Sequence, residues 1–155
     1  MAKGVKLTVQ EAIRDTLRDN LSTYLTDVSK RTRPTFIFRP VVPAANQCPL
    51  IMIYDDGGAQ EDFSGYVLRR LPFRVYVVVV ERDEDKAAES AMDYTDAIRA
   101  CLEENYTLGG VVPLTDITGE EPTGDPVDTE AGGVMQAGGI TIRVTVGNAR
   151  GEATL

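Results

Sequence analysis

The sequence predicts an α+β fold: one mostly antiparallel sheet of about four to five strands, two helices packed on one face of it, and a long hairpin and an acidic loop as extensions. Three patterns support this prediction. Two stretches have the spacing of amphipathic helices, a run of valines has the character of a central strand, and a stretch near the end alternates apolar and polar side chains. The 155 residues fit a single domain, with a lead-in at 1–7, a globular part at 8–146 and a loose tail at 147–155.

The first helix is predicted at about residues 8–28. Thr8 and Glu11 have the spacing of a capping box, in which Thr8 caps the helix and Glu11 reaches back to the cap backbone. Apolar side chains recur about every four residues and form one face, while charged side chains occupy the other. The apolar face consists of Val9, Ile13, Leu17, Leu21, Leu25 and Val28.

The middle of the chain is predicted to form a hairpin. Prolines between positions 34 and 49 limit residues 35–38 to a short or edge strand, because proline cannot donate to a strand ladder. Residues 50–54 form the first regular strand, and a turn and polar loop follow to about residue 65. The chain then becomes extended again from Tyr66, with Pro72 predicting a bulge or a break, and it pairs with residues 50–54.

Residues 74–105 are predicted to be the unit around which the domain is organised. The apolar run at 75–80 is interrupted only by Tyr76, so both faces of this strand should be covered. An acidic corner at 82–85 leads into a helix, where carboxylates suit the cap and the positive end of the helix dipole. The apolar stripe of this helix consists of Ala87, Ala91, Tyr94, Ile98, Cys101 and Leu102.

The last third of the chain is predicted to hold two strands separated by a loop. Residues 111–117 read as a short strand, and Pro113 argues for an edge position. Residues 118–133 are rich in Gly, Pro, Asp, Glu and Thr, which predicts a long mobile loop. Glycines 138 and 139 indicate a bulge, and residues 140–146 alternate as a half-buried closing strand.

The net charge of −8 is unevenly distributed. Residues 81–130 hold 15 acidic side chains against 3 basic ones, a net of −12, whereas residues 1–80 hold 8 against 11, a net of +3. A protein without a basic footprint is not expected to bind nucleic acid through its overall field. Opposite charges on the two parts would instead give a head-to-tail contact between copies its orientation.

The sequence contains no catalytic signature. It has no histidine, which removes the commonest general base and the Ser-His and Cys-His nucleophile pairs. Cys48 and Cys101 lack the spacing of a zinc site and indicate two buried thiols, and no glycine-rich phosphate loop occurs. We therefore expect no enzymatic activity, no cofactor and no metal. The absence of a signal segment and of a long apolar run predicts a soluble cytoplasmic protein.

Two charged clusters leave alternatives open. The carboxylates at 55–56 and 83–85 could hold Mg²⁺ or Ca²⁺, although helix capping explains the second group without a metal. Arg69, Arg70 and Arg74 lie near aromatic residues and could bind single-stranded nucleic acid, or they could pair with acids in this chain or in a neighbouring subunit. The overall acidity favours pairing with acids.

Several stretches together resemble the tail terminator proteins of long-tailed bacteriophages. The resemblance lies in the amphipathic first helix, the valine strand that runs into an alanine-rich helix ending at Asn105, and the re-entry at residues 108–111. It continues in the acidic loop and in the closing strand from Gly139 to Val144. The resemblance extends over most of the chain and includes no catalytic motif.

The resemblance implies a structural protein of the virion with an α+β fold. Proteins of this family form a ring, here expected to be a homohexamer, that caps the tail tube and joins the tail to the head or neck. The implied partners are further copies of the chain, the tail tube protein, the head-completion or neck protein and, in a contractile tail, the sheath protein. Genomic DNA passes through the lumen, no membrane is involved, and the protein is in the host cytoplasm during assembly.

The resemblance also suggests which residues meet neighbours and which face the lumen. A channel for DNA should repel phosphate, which favours an acidic wall. The subunit-interface candidates are Arg69, Arg70, Arg74, Asp83, Glu84 and Asp85. The lumen-facing candidates are Glu120, Glu121, Asp125, Asp128 and Glu130.

Three other classes of protein stay open. One is the neighbouring class of head-tail connectors and neck, or head-completion, proteins, which serve the same junction. Another is an enzyme, which would have to use carboxylates and a metal ion because the chain has no histidine. The third is a partner-binding adaptor whose edge strand at residues 114–117 accepts an added strand. An adaptor should remain a monomer at concentrations where a terminator forms rings.

Overall fold

The computed structural model describes residues 4–26, 34–57, 61–63, 67–121, 124–130 and 132–148. Within these residues the chain forms two α-helices, a short 3-10 helix and seven strands. The helices are α1 (Val5–Tyr24) and α2 (Glu84–Glu104), and the 3-10 helix is Ala45–Gln47. The strands are β1 (Thr35–Ile37), β2 (Leu50–Asp55), β3 (Glu61–Phe63), β4 (Val67–Glu81), β5 (Leu114–Glu121), β6 (Val127–Asp128) and β7 (Val134–Asn148).

All seven strands belong to one mixed, mostly antiparallel sheet. The strand order is β1-β2-β4-β7-β5, with β3 paired to β4 and β6 paired to β7. Only the pair of β1 and β2 is parallel among the described strands. The predicted α+β class is therefore confirmed, and the sheet has more strands than predicted because two short ones extend its margins.

Both helices pack on the same face of the sheet, as predicted. α2 lies over β4 and β7, and α1 lies beside α2 and over β2. Alternate residues of the strands point into the core between these layers, as the two-residue period of a strand requires. The sheet side of the core includes Ile51, Ile53, Leu71, Phe73, Val75, Val77, Val79, Ile140, Ile142, Val144 and Val146.

The valine strand is central in position but its two faces differ. Val75, Val77 and Val79 are buried under the helices. Val78 points the other way and is buried in a second, smaller apolar cluster with Leu50 and Met52. We call this side of the sheet the open face, because helices cover only the opposite side. The prediction that both faces of this strand are covered is therefore half right: helices cover one face, and on the other face Val78 is buried in the smaller apolar cluster.

The start of α1 is a correction to the sequence prediction. The helix begins at Val5, with Gly4 as its N-cap and no side-chain cap, so the capping box at Thr8 and Glu11 is wrong. Thr8 lies inside the helix, where its backbone N–H and its hydroxyl both donate to the Gly4 carbonyl at 3.0 Å. The earlier start lets Val5 pack against the core. The predicted end near Val28 is also wrong, because the helix ends at Tyr24 and its C-cap Leu25 has an extended backbone. Residues 27 and 28 themselves lie outside the described residues.

The predicted break at Pro72 is also wrong. β4 is continuous, and Pro72 keeps its register opposite Arg143 in β7. The Pro72 carbonyl accepts a hydrogen bond from the Asp56 N–H at 3.1 Å, so its backbone polar groups face the gap between β2 and β3. Because no described strand pairs with β4 at Pro72 on the side of β2 and β3, the sheet loses no hydrogen bond to the missing N–H of proline.

The acidic stretch at 118–133 contains regular structure rather than one long mobile loop. β5 continues to Glu121, β6 adds two residues, and Thr129 closes a turn by accepting from and donating to Gly133. β7 starts at Val134 and has no bulge at its glycines, since its register with β4 is unbroken. The irregularity lies in β5 instead, between Ile117 and Gly119. Gly147 and Asn148 belong to β7, and the rest of the predicted tail lies outside the described residues.

The helix of the central unit agrees with the prediction. Asp83 is the N-cap of α2, and its carboxylate accepts a hydrogen bond from the Lys86 N–H at 2.9 Å. Glu84 and Asp85 occupy the first turn, where their charge suits the helix dipole. The helix ends at the cap Asn105, and positive φ angles follow at Leu108 and at glycines 109 and 110.

Candidate interaction surface

The three arginines proposed for a subunit interface point to different sides of β4. Arg70 and Arg74 alternate with the core residues Leu71 and Phe73 and therefore lie on the open face. Arg69 has the same parity as Leu71 and lies on the helix side of the sheet. The structure thus brings two of the three arginines onto one surface.

Arg70 and Arg74 form ion pairs within the chain. Arg74 pairs with Asp56 and lies 3.7 Å from Glu121, while Arg70 lies 3.4 Å from Asp116. The hydrogen bond that Arg74 donates to Asp56 is the main cause that raises the pKa of Arg74. These contacts link β4 to the loop after β2 and to β5, so the arginines neutralise carboxylates of their own chain on the open face.

The acidic corner lies far from these arginines. Asp83, Glu84 and Asp85 follow the end of β4, about 35 Å along the strand from Arg70 at the usual rise per residue. All three are exposed, and Asp83 serves as the helix cap. The six predicted interface residues therefore do not form one continuous surface within the described chain.

The five acidic residues proposed for a channel wall occupy three places. Glu120 pairs with Arg99 of α2, on the helix side, at 2.5 Å, and Glu121 pairs with Arg74 near the open face. The remaining three are Asp125, Asp128 and Glu130, which are exposed at the margin formed by β6. They make no ion pair with the described part of the chain.

Sequence reasoning missed an apolar groove on the open face. Its walls are residues 41–43, which cross the open face after β1, and residues 124–127, and its volume is about 300 Å³. Val42 and Val127 stand on these walls with 95% and 59% of their surface exposed. The floor is formed by Met52, Tyr54, Tyr76, Val78, Met135 and Ala137.

Two stacked tyrosines form the centre of the groove floor. The rings of Tyr54 and Tyr76 lie 6.3 Å apart between centroids at an interplanar angle of 9°. The Tyr76 side chain lies against Gly139 of β7, where an added Cβ would be 3.0 Å from the ring and 2.5 Å from the Val75 carbonyl oxygen. The glycine in mid-strand was the sequence signal for this close approach, although it was interpreted as a bulge.

Within the described chain, the thiols and carboxylates show no feature of a catalytic or metal-binding site. Burial raises the pKa of the Cys101 thiol to about 12 and also raises the pKa of the half-buried Cys48 thiol, so both favour the unreactive protonated form. No group of three or more Cys, Asp or Glu side chains in the described ranges is arranged to hold a metal ion. What the geometry provides is a surface for contact: an apolar groove beside a row of internally paired charges.

Comparisons with known proteins do not assign the chain to a family. None of the models of known protein families matches the chain, and a search of curated proteins returns no significant match. Neither described helix combines the length and the apolar character that crossing a bilayer requires.

Proposed function

We propose that this protein is a structural component of a bacteriophage tail: a tail terminator that forms a ring, expected to be hexameric, on the end of the tail tube. The ring joins the tail to the head or neck, and DNA passes through its lumen. Its proposed partners are other copies of the chain, the tube protein, the head-completion or neck protein and, in a contractile tail, the sheath protein. The proposed location is the virion, with assembly in the host cytoplasm.

The observation that carries the proposal is that two sides of the protein differ: α2 presents an acidic surface, whereas the open face of the sheet presents a surface suited to contact with a protein. The exposed residues of α2 include six carboxylates, and only Lys86 and Arg99 oppose them. The open face carries the apolar groove and the paired charges. A ring subunit needs both kinds of surface, because some of its sides meet other proteins while others face water or DNA.

The acidic side suits a channel through which DNA slides. Phosphate groups are repelled by carboxylates and are not held by them, so an acidic wall allows passage without binding. In this proposal the exposed carboxylates of α2 line the channel. Reversing Glu89 and Asp96 of α2 to lysine should then slow DNA passage and lower the yield of infectious particles while leaving ring formation intact.

A tube-capping assay tests the proposed function. Purified tail tubes are incubated with the protein and examined by electron microscopy for added density at one end. A terminator binds one end only and in a fixed number of copies. A protein that binds no tube end, or that binds isolated head portals instead, belongs to the head-completion class or to neither class.

The adaptor alternative is favoured by one observation. β5 is at the margin of the sheet, and along its outer side no strand pairs with it in the described structure. Such a strand can accept a peptide as an added strand. An adaptor would bind extended peptides along β5 and remain monomeric, whereas the terminator proposal requires self-association.

A further inference from the structure

We propose that the open face of the sheet is the surface by which one copy of this chain docks on a second copy. The contact is centred on the groove between residues 41–43 and 124–127. It is one step of the ring assembly proposed above and rests on that proposal. It adds the apolar groove, which the sequence did not reveal, to a face that already carries Arg70 and Arg74, two of the suggested interface residues.

The first argument is the exposure of apolar side chains. Val42 and Val127 are the most exposed large apolar residues in the described chain, and both stand on the walls of the same groove. Single exposed apolar residues are common, but here two of them border a floor of methionine, valine and stacked tyrosine side chains. An apolar groove flanked by two such exposed side chains can receive an apolar anchoring side chain of a partner protein.

The second argument is size. The open face is five strands wide, and the strands β1, β2, β4, β7 and β5 have 3, 6, 15, 15 and 8 residues. With strands about 4.8 Å apart and a rise of about 3.3 Å per residue, the face has an area of about 750 Å². A stable interface buries about 800 Å² on each partner. The open face together with its projecting walls therefore offers enough area for a lasting contact, whereas a small ligand would leave most of it uncovered.

The third argument is charge, which favours a second copy over a basic partner. On the strands of the open face three arginines balance three carboxylates: Arg70, Arg74, Arg143, Asp56, Asp116 and Glu121. Asp125 beside the groove adds one negative charge, so most of the net charge of −8 resides elsewhere on the chain. Two acidic copies repel each other less when the contact surface of one of them is close to neutral, whereas a basic partner would be drawn to the acidic helix layer.

The two sides of the groove also carry opposite charges. Arg39 is the only charged residue between positions 34 and 54, and it precedes the wall at 41–43. The opposite wall carries Asp125, and the stretch from there to Glu130 contains no cation. When a second copy docks, the Arg39 side of one copy can lie against the acidic side of the other, which fixes the orientation of the contact.

The test replaces exposed groove residues by glutamate and measures self-association by sedimentation velocity. Val42→Glu and Val127→Glu should each weaken self-association by about tenfold or more, because each places an unpaired charge in an apolar contact. Met92→Glu is the matched control: Met92 is 56% exposed on α2 and the substitution adds the same charge far from the open face. Circular dichroism confirms that all variants are folded.

Each outcome either supports or overturns the inference. Weakened association of the two groove variants, with Met92→Glu like the wild type, supports it. Equal behaviour of all three variants overturns it, while rings and capped tubes of the wild type would still support the terminator function. If the wild-type protein caps tubes but never self-associates, the proposed contact between copies is wrong. If Val42→Glu then also abolishes capping, the groove binds the tube protein instead. A wild type that does neither contradicts both proposals.

Discussion

At the scale of single residues, Gly139 shows how one position shapes the open face. It lies in the middle of β7, opposite Tyr76, and leaves room for the tyrosine side chain. We expect Gly139→Ala to lower the free energy of unfolding by about 2 kcal/mol, because the new Cβ meets backbone that cannot move away cheaply. Urea unfolding measures the change.

Gly124→Ala is the control for this substitution. A Cβ at Gly124 would have no heavy atom within 4 Å, so we expect almost no change in stability. If both variants unfold at the same urea concentration, the tyrosine side chain does not depend on Gly139 as described. Loss of the Tyr54–Tyr76 stack should also be visible in the near-ultraviolet circular dichroism of Gly139→Ala.

Two buried titratable groups predict loss of stability in alkali. Burial raises the pKa of Tyr94 and that of Cys101 each to about 12, from ordinary values of 10.0 and 9.0. The unfolded chain releases these protons first, so the free energy of unfolding is unaffected below about pH 9 and falls as the pH rises toward 12. Tyr94→Phe should remove part of this fall.

The matched control for the alkaline prediction is Tyr106→Phe. Tyr106 is 48% exposed, whereas Tyr94 is 3% exposed, so folding removes Tyr94 from water far more completely. Urea unfolding at neutral pH and at about pH 10.5 compares the variants, with an expected difference of about 1 kcal/mol. An identical pH dependence for both variants would show that Tyr94 does not contribute.

At the scale of elements, the start of α2 depends on one side chain. Asp83→Ala should lower the free energy of unfolding by about 1 kcal/mol, because the Lys86 N–H loses its acceptor. Asp83→Asn keeps an acceptor and should stay close to the wild type. Thermal unfolding separates the two variants, and an alanine variant as stable as the asparagine variant would mean that the cap has no role.

The elements that the sequence predicted well are those with a strong period. The apolar stripes of α1 and α2 and the alternation in β7 leave little choice of structure, because each requires one face to be buried. The two-residue and three-residue strands β6 and β3 were missed, since so short a stretch has no period of its own. Pro72 and Gly139 misled because their surroundings decide their effect: no described strand pairs with β4 on one side of Pro72, and the Tyr76 ring lies against Gly139.

The candidate site was less predictable than the fold. Charged residues stood out in the sequence, yet Arg70, Arg74, Glu120 and Glu121 form pairs inside the chain. The groove draws its residues from β2, β4, β6 and β7 and from the segment before β2, so no single stretch reveals it. Only the strand order brings Val42 and Val127 to opposite walls of one groove.

At the scale of the whole molecule, the chain combines an acidic helix layer with a sheet face that is apolar at one end and charge-balanced at the other. Both the proposed ring and the proposed docking surface follow from this division, because burial of the open face leaves the acidic residues exposed. The adaptor alternative uses only the β5 margin and requires no contact between copies.

The measurement that tests this account most directly is the mass of the protein in solution over a range of concentrations, combined with negatively stained images of the same sample. We expect a closed ring with one discrete mass, about six times that of the 16.9 kDa chain, with a central opening in the images. A protein that stays monomeric at every concentration, or one that grows into open filaments without a defined mass, would contradict the account.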